Sequence, residues 1–285
     1  MKPASFNYHS PSTLEEAITL LARFAEDDGR ILAGGQSLTP TMAFRLARPG
    51  HLIDINNIED IKAVLVKKDK LVIGAGVRHA KFHEPVCDGP LGLLLSRVVE
   101  NIAHLPIRLR GTFCGSLAHA DPASEWCAVA ATLDAKLIAK STSGEREIEA
   151  QDFFETVMTT ALKENEMLVE VHLPLLPTNT KFGFEEFSRR AGDFALTMAL
   201  VVWEENGGKI KNARIGLGGV EDRPRRILAA EEILNNAVPS DEVFRKAAEI
   251  AADNVDPIED HATPANYRRD LVKALTRRAC EQASM

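Results

Sequence analysis

The chain has 285 residues, 45% of them hydrophobic and 26% charged, with a net charge of −7. This composition is typical of a globular protein of two or three domains. The negative charge argues against a nucleic acid as partner, because a DNA-binding face would have to form against the overall field. No apolar run reaches the roughly 18 residues that span a bilayer, so no membrane span is predicted.

Cysteine spacing gives no sign of a metal centre. The four cysteines are Cys87, Cys114, Cys127 and Cys280. They form no CxxC pair and match no zinc or ferredoxin pattern, which favours reduced structural thiols. The first ten residues, MKPASFNYHS, contain no apolar segment of the secretory type. We therefore expect a cytoplasmic protein that holds no metal of its own.

Periodicity predicts a small α/β unit over residues 1–57. Residues 12–25 begin with a hydroxyl N-cap and acidic residues, then place apolar residues at helical spacing, which indicates a helix. Short apolar strands are predicted at 31–33 and 51–55.

Residues 58–175 are predicted to form a second unit. In chain order we expect strands at 63–66 and 71–75, helices at 91–104 and 124–133, and strands at 135–140 and 166–173. The stretch from Pro106 to Pro122 is polar and bears glycines, so a glycine-rich turn is expected there.

Residues 176–285 are predicted to form a C-terminal domain. Strands are expected at 182–188, 196–204 and 210–217, and helices at 227–236, 240–254 and 264–282. The Asn206-Gly207-Gly208 sequence is a turn signal between the last two strands. The predicted fold class is α+β, with a three-stranded antiparallel sheet in this domain.

A first candidate binding turn follows the strand at 31–33. It reads Ala33, Gly34, Gly35, Gln36, Ser37 and Leu38. Glycine permits positive φ, so successive backbone N–H groups can converge on one anion, and Gln36 and Ser37 add side-chain donors. The turn is either a pyrophosphate-binding loop or a plain β-turn.

A second glycine-bearing turn has similar chemistry. It reads Gly111, Thr112, Phe113, Cys114, Gly115 and Ser116. Its two hydroxyls suit phosphate or ribityl contact, and Arg108 and Arg110 add positive potential upstream. Asp121 either accepts a hydrogen bond from a sugar hydroxyl or ring N–H, or caps the turn before Pro122.

Neither turn has the standard nucleotide-binding motifs. Both lack the G-x-G-x-x-G and Walker A patterns, which disfavours a nicotinamide or nucleoside-triphosphate site of those kinds. Two separated glycine-rich turns on different subdomains indicate one long ligand held between them. A dinucleotide such as FAD has that shape.

Segments along the whole chain carry a recognisable pattern. They are AGGQSL at 33–38, HLIDI at 51–55, IRLRGTFCGS at 107–116, AHADP at 118–122, EVHLP at 170–174, FSRRAGDFA at 187–195 and IGLGGV at 215–220. In order and separation they resemble the FAD-binding medium subunits of the molybdenum hydroxylases, the carbon monoxide dehydrogenase and xanthine dehydrogenase family.

This resemblance implies a two-subdomain FAD-binding fold, 1–57 and 58–175, followed by a C-terminal flavoprotein domain, 176–285. It implies that residues 33–38 wrap the FAD diphosphate, that the second turn holds the diphosphate and adenosine side, and that Leu168 lies near the flavin ring. The implied cofactor-binding residues are Ala33, Gly34, Gly35, Gln36, Ser37, Leu38, Thr112, Cys114, Gly115, Ser116, His119, Asp121, Leu168 and Phe184.

Three residues depart from the family pattern. Cys114 stands where glycine is usual, and a side chain there is expected to narrow the approach to phosphate. Phe184 and Glu186 stand where the family commonly carries Tyr and Lys, which removes a hydroxyl and a positive charge near the flavin.

The resemblance also implies a division of labour among subunits. Substrate is oxidised at molybdopterin in a large partner subunit, and electrons pass through 2Fe-2S clusters of a small subunit to FAD here and on to an external acceptor. The three chain types are expected to double into a heterohexamer. The alternatives are a self-sufficient flavin oxidase or dehydrogenase with His119 as proton acceptor, and a binding module that has lost the flavin.

Overall fold

The N-terminal part of the chain is a parallel sheet with strand order β1-β3-β2, flanked by helices. A computed structural model describes residues 2–260 and 263–285. The elements of the first part are β1 (Asn7–His9), α1 (Leu14–Phe24), β2 (Gly29–Leu32), α2 (Leu38–Ala43) and β3 (His51–Asp54). The predicted helix begins after Thr13, whose hydroxyl accepts a hydrogen bond from the Glu16 amide at 3.2 Å.

The second part is an antiparallel sheet with strand order β4-β5-β10-β6-β7. Its elements are β4 (Val64–Lys67), β5 (Lys70–Gly74), a 3-10 turn (His79–His83), α3 (Pro90–Val99), α4 (Leu105–Arg108), α5 (Phe113–His119), α6 (Glu125–Thr132), β6 (Lys136–Ser141), β7 (Gly144–Glu149), α7 (Ala150–Phe153), β8 (Phe154–Thr156), β9 (Thr159–Thr160) and β10 (Met167–Pro174). Strands β8 and β9 form a separate hairpin.

The region predicted as a glycine-rich turn contains two short helices, α4 and α5. Thr112 is the N-cap of α5, and its Oγ1 accepts a hydrogen bond from the Gly115 amide at 3.0 Å. Glycines lower helix propensity, and here the cap and tertiary packing outweigh that preference.

The C-terminal part is a four-stranded antiparallel sheet with strand order β11-β12-β13-β14. Its elements are β11 (Thr180–Phe187), β12 (Thr197–Asn206), β13 (Lys209–Gly218), β14 (Arg225–Arg226), α8 (Leu228–Leu234), α9 (Asp241–Asp253) and α10 (Ala265–Ala283). The three predicted long strands are confirmed, and the two-residue β14 extends the sheet. Gly207 and Gly208 both have positive φ in the turn from β12 to β13.

Helix α6 belongs to the second part of the chain and packs against the third. All eight of its residues are buried, as expected of a helix that is covered on every side. It packs against β12 and β13 of the C-terminal sheet. One hydrophobic core extends from Ala17 in α1 to Val202 in β12, and a second lies between the C-terminal sheet and its helices. The predicted boundaries at 57/58 and 175/176 fall between β3 and β4 and between β10 and β11.

The described helices include none long and apolar enough to cross a membrane. All four cysteines are free thiols. Within residues 2–260 and 263–285, no three His, Cys, Asp or Glu side chains are grouped so that they could hold a metal ion.

Candidate functional site: a cleft between two glycine-bearing loops

A cleft of about 830 Å³ lies between the first two parts of the chain. This volume is within the range of small-molecule sites, roughly 300–1,000 Å³. Twelve predicted cofactor-binding residues line it: Ala33, Gly34, Gly35, Gln36, Ser37, Leu38, Thr112, Cys114, Gly115, Ser116, His119 and Leu168. The structure therefore brings both predicted turns and the start of β10 to one site.

The first loop turns sharply as it leaves β2. Gly35 has a φ of +72°, in the left-handed region that favours glycine. The Gln36 side-chain amide donates to the Gly34 carbonyl at 2.9 Å, so this side chain also closes its own loop. Helix α2 begins directly afterwards, with Ser37 at its N-cap position. All six residues of the loop, 33–38, line the cleft.

The two loops touch each other through glycine. A Cβ atom on Gly34 would lie 2.5 Å from the Gly111 Cα, and one on Gly111 would lie 2.5 Å from the His79 Nε2. A Cβ on Gly115 would similarly lie 2.5 Å from the Thr112 Oγ1. Real Cβ contacts are not this short, so the first loop can approach the second only with glycine at position 34, and the second loop can adopt its conformation only with glycine at 111 and 115. The result is a cradle of main-chain groups with hydroxyl donors, which fits the diphosphate of a dinucleotide.

His79 lines the cleft and was not predicted as a site residue. Its Nδ1 accepts a hydrogen bond from the Trp126 indole N–H at 2.9 Å, so the ring proton is on Nε2. Burial lowers the pKa of His79 to about 3, and Arg78 and Arg108 add to the effect. The side chain is therefore neutral at physiological pH. A single histidine outside any motif gives no signal in the sequence that it lines a binding cleft.

Cys114 does not narrow the cleft as expected from its replacement of glycine. Its Sγ is directed at the Ile73 carbonyl in the core, 3.7 Å away, and the side chain is buried. Burial raises the pKa of this thiol far above its usual range, so it stays protonated. The Cys114 side chain is thus directed into the core, although the residue is one of those that line the cleft.

His119 lies on the cleft wall, whereas Asp121 and Phe184 do not line it. Asp121 accepts a hydrogen bond from the Ala123 amide at 2.9 Å, which is the turn-capping alternative. Phe184 is buried in β11, and its amide donates to the Gln282 side chain. Burial lowers the pKa of His119, partly opposed by the Asp121 charge, so His119 is neutral at pH 7.

One wall of the cleft was not predicted at all. It is formed by the β8–β9 hairpin, the segment before β10 and the first residue of β10, and its residues are Met158, Thr159, Thr160, Leu162, Lys163, Glu164, Glu166 and Met167. These strands have three and two residues, too short to give a periodic pattern in the sequence. The sequence motifs at Pro106–Pro122 and 33–38 contain no information about this third part of the cleft wall.

Two carboxylates, Glu125 and Glu186, influence each other electrostatically where the FAD-binding part contacts the C-terminal sheet. Burial raises the pKa of Glu125, at the start of α6, to about 7. Burial raises the pKa of Glu186, in β11, to about 9, and the Glu125 charge adds to this. The Oε2 of Glu186 has no hydrogen-bond partner among the described residues. Glu186, one of the three residues that depart from the family pattern, is thus protonated and uncharged at neutral pH.

Comparison with known proteins defines the class. The family described as "FAD binding domain in molybdopterin dehydrogenase" matches residues 4–176. The family described as "CO dehydrogenase flavoprotein C-terminal domain" matches residues 182–283. The chain belongs to the family of FAD-binding medium subunits of the molybdopterin dehydrogenases. It is an oxidoreductase subunit with FAD as its cofactor.

Relatives match over almost the full length of the chain. The caffeine dehydrogenase subunit beta of Pseudomonas sp. strain CBB1 is 37% identical over 100% of this chain and 96% of the relative. A solved carbon monoxide dehydrogenase from Hydrogenophaga pseudoflava superposes with a TM-score of 0.95 at 33% identity, covering 100% of this chain and 99% of that one. Quinoline 2-oxidoreductase from Pseudomonas putida 86 gives a TM-score of 0.92 at 36% identity, covering 100% and 98%. The predicted family, fold class and FAD cofactor are confirmed.

Proposed function

We propose that this chain is the FAD-binding electron-transfer subunit of a multi-subunit molybdenum-containing hydroxylase or dehydrogenase. In this assembly, electrons taken from substrate at molybdopterin in a large subunit pass through 2Fe-2S clusters of a small subunit, and then by way of FAD bound here to an external acceptor. The observation that carries the proposal is the cleft built by both glycine-bearing loops in a chain related to medium subunits over its whole length.

The twelve cleft residues have distinct roles in this proposal. The first loop and the start of α5 hold the diphosphate through backbone amides and hydroxyls, since residues of both line the cleft. Leu168, on β10, contributes an apolar surface for the flavin ring. FAD supplies the redox chemistry when bound, and the protein supplies position and environment. No residue need act as a general base toward substrate.

The partners follow from the same reasoning. The cysteine spacing provides no cluster site, and three of the four thiols are buried, so iron–sulfur clusters belong to another chain. We propose a large and a small partner subunit, doubled into a heterohexamer, in the cytoplasm. Free thiols support a reducing compartment.

The test is purification of the assembly from its own host by a tag on this chain. We expect two further chains to copurify, one carrying molybdopterin and one carrying iron and acid-labile sulfide, together with FAD. Photoreduction of the assembly with a deazaflavin should then reduce the clusters first, and their reoxidation should coincide with bleaching of the flavin absorption band.

Three results would contradict this function. If the chain purifies without an iron–sulfur partner, or if reduced clusters never pass electrons to FAD, the relay is wrong. If the isolated chain alone oxidises a substrate, with caffeine, nicotine and carbon monoxide as first probes, it is a self-sufficient flavoenzyme.

A further inference from the structure

A short segment after β5 holds the second cofactor loop by backbone pairing. Arg78 forms an antiparallel bridge with Thr112. The His79 amide donates to the Gly111 carbonyl at 3.0 Å, and the Phe113 amide donates to the Val77 carbonyl at 3.0 Å. The start of α5 is therefore fixed to this segment on both sides of Thr112.

The Arg78 side chain extends from this segment toward the first cofactor loop. Its guanidinium donates one hydrogen bond to the Arg110 carbonyl, just before Gly111. It donates a second, at 2.5 Å, to the Oδ1 of Asn56, which follows β3. Arg78 thus contacts the second loop directly and the first part of the chain through Asn56.

Asn56 completes the connection. Its side-chain amide donates to the Ala33 carbonyl at 2.8 Å, where the first loop begins. The same amide also donates to an Asp54 carboxylate oxygen at 2.5 Å, and the other oxygen of that carboxylate accepts from the Tyr8 hydroxyl at 2.7 Å. Two side chains, Arg78 and Asn56, therefore connect the Arg110 carbonyl of one loop to the Ala33 carbonyl of the other.

These two residues support the cleft from behind. Neither Arg78 nor Asn56 is among the residues that line it. The bridge ends beside Gly34 and Gly111, the point at which the two loops touch. Arg78 is half-buried, and its planar guanidinium suits two acceptors at once, which the ammonium of a lysine does not reproduce.

We infer that Arg78 and Asn56 are positioning residues for FAD, locking the two glycine-bearing loops at the spacing at which both contact one cofactor molecule. The bridge forms the cleft before FAD arrives, so binding does not have to order the loops. This inference rests on the proposed placement of FAD in the cleft.

The test compares FAD affinity with the stability of the apoprotein in full-length variants. FAD is removed, and its dissociation constant is measured by flavin fluorescence titration, alongside urea unfolding of the apoprotein. We expect Arg78→Met and Asn56→Ala each to weaken FAD binding roughly ten- to a hundredfold, the range for loss of a hydrogen bond to a charged group. Arg78→Lys should recover only part of the affinity, because it cannot reproduce both contacts.

The double variant separates a shared bridge from two independent structural effects. Because both residues act through one connection, Arg78→Met with Asn56→Ala should weaken FAD binding no more than the stronger single substitution. The matched control is Arg269→Met, which removes an arginine that donates to the Val255 carbonyl in the C-terminal part and should leave FAD affinity unchanged.

Several outcomes would overturn the inference. FAD affinity equal to wild type in Arg78→Met, or strictly additive losses in the double variant, would show that the two side chains do not position the loops together. Full rescue by Arg78→Lys would show that charge alone matters. A wild-type chain that binds no FAD would instead overturn the proposed function itself.

Discussion

Glycine at position 34 serves two purposes that operate at the scale of single atoms. It is one of the two adjacent glycines of a turn that lines the cleft, and it lets the first loop contact the backbone of the second at Gly111. The paired glycines in the sequence indicated the first purpose, since adjacent glycines are typical of anion-binding turns. The second depends on a neighbour 77 positions further along the chain, which no local pattern contains.

Gly34→Ala should therefore damage the site even though alanine is the smallest change available. The new Cβ would lie 2.5 Å from the Gly111 Cα, a backbone atom that cannot turn aside. We expect the free energy of unfolding to fall by about 1–3 kcal/mol, the usual cost of overpacking. FAD affinity should fall at least about tenfold as the loops separate, equivalent to losing one hydrogen bond. Urea unfolding and flavin fluorescence titration measure the two effects.

Gly208→Ala is the matched control. Gly208 has a φ of +71° in the β12–β13 turn, and a Cβ there would meet no atom within 4 Å. Its replacement should cost about 1 kcal/mol for the left-handed backbone alone and leave FAD affinity unchanged. Equal FAD affinity in Gly34→Ala and Gly208→Ala would refute the close-approach argument.

Side-chain direction is the other feature that the sequence could not provide at this scale. Cys114 and Asp121 lie in or beside a cofactor motif, yet the thiol of Cys114 is directed into the core and Asp121 caps a turn. Which way a side chain points is decided by tertiary packing, here by the Ile73 carbonyl for Cys114. The sequence was sufficient to predict that this loop lines the site. It was not sufficient to predict which of its side chains face the cleft.

Among the elements, the long and strongly periodic ones were predictable. Helices α1 and α9 and strands β12 and β13 follow from hydrophobic spacing and caps, and they occur where expected. Helix α5 was not predicted, because Gly111 and Gly115 suggest a turn and the stability of the helix comes from the Thr112 cap and buried neighbours. Strands β9 and β14 have two residues each and exist only through pairing with a neighbour.

The contact between α6 and the C-terminal sheet should be sensitive to pH. The folded state raises the pKa of Glu186 from 4.5 to about 9, so the folded protein binds more protons than the unfolded chain between these values. The stabilisation that this group contributes is complete below pH 4.5 and is lost as the pH rises toward about 9. Stability is expected to decline with rising pH across this window.

Glu186→Gln should remove much of that decline, because glutamine stays neutral at every pH. We expect it to raise the free energy of unfolding by about 1–2 kcal/mol near the upper end of the window and to change little below pH 4.5. Urea unfolding over a pH series is the measurement. Glu185→Gln is the control, since adjacent side chains on a strand face opposite sides. A larger gain at low pH than at high pH would contradict the assignment.

At the scale of the whole molecule, the cleft is a product of two separate sheets. Its lining comes from the loop after β2 in the parallel sheet, and from α5 and the start of β10 in the antiparallel sheet. Motif order along the chain was sufficient to predict that the two loops share one ligand. The wall formed by the β8–β9 hairpin could not be predicted in this way, because it carries no motif.

The C-terminal sheet contacts the FAD-binding part through α3 and α6 and contributes no residue to the lining of the cleft. FAD should therefore be retained or lost according to the first two parts of the chain. Hydrogen exchange of backbone amides, with and without FAD, tests this most directly on the full chain. We expect slower exchange at residues 33–38 and 112–116 on FAD binding, with β12 and β13 unchanged. Exchange that slows elsewhere while both loops stay as they were would contradict it.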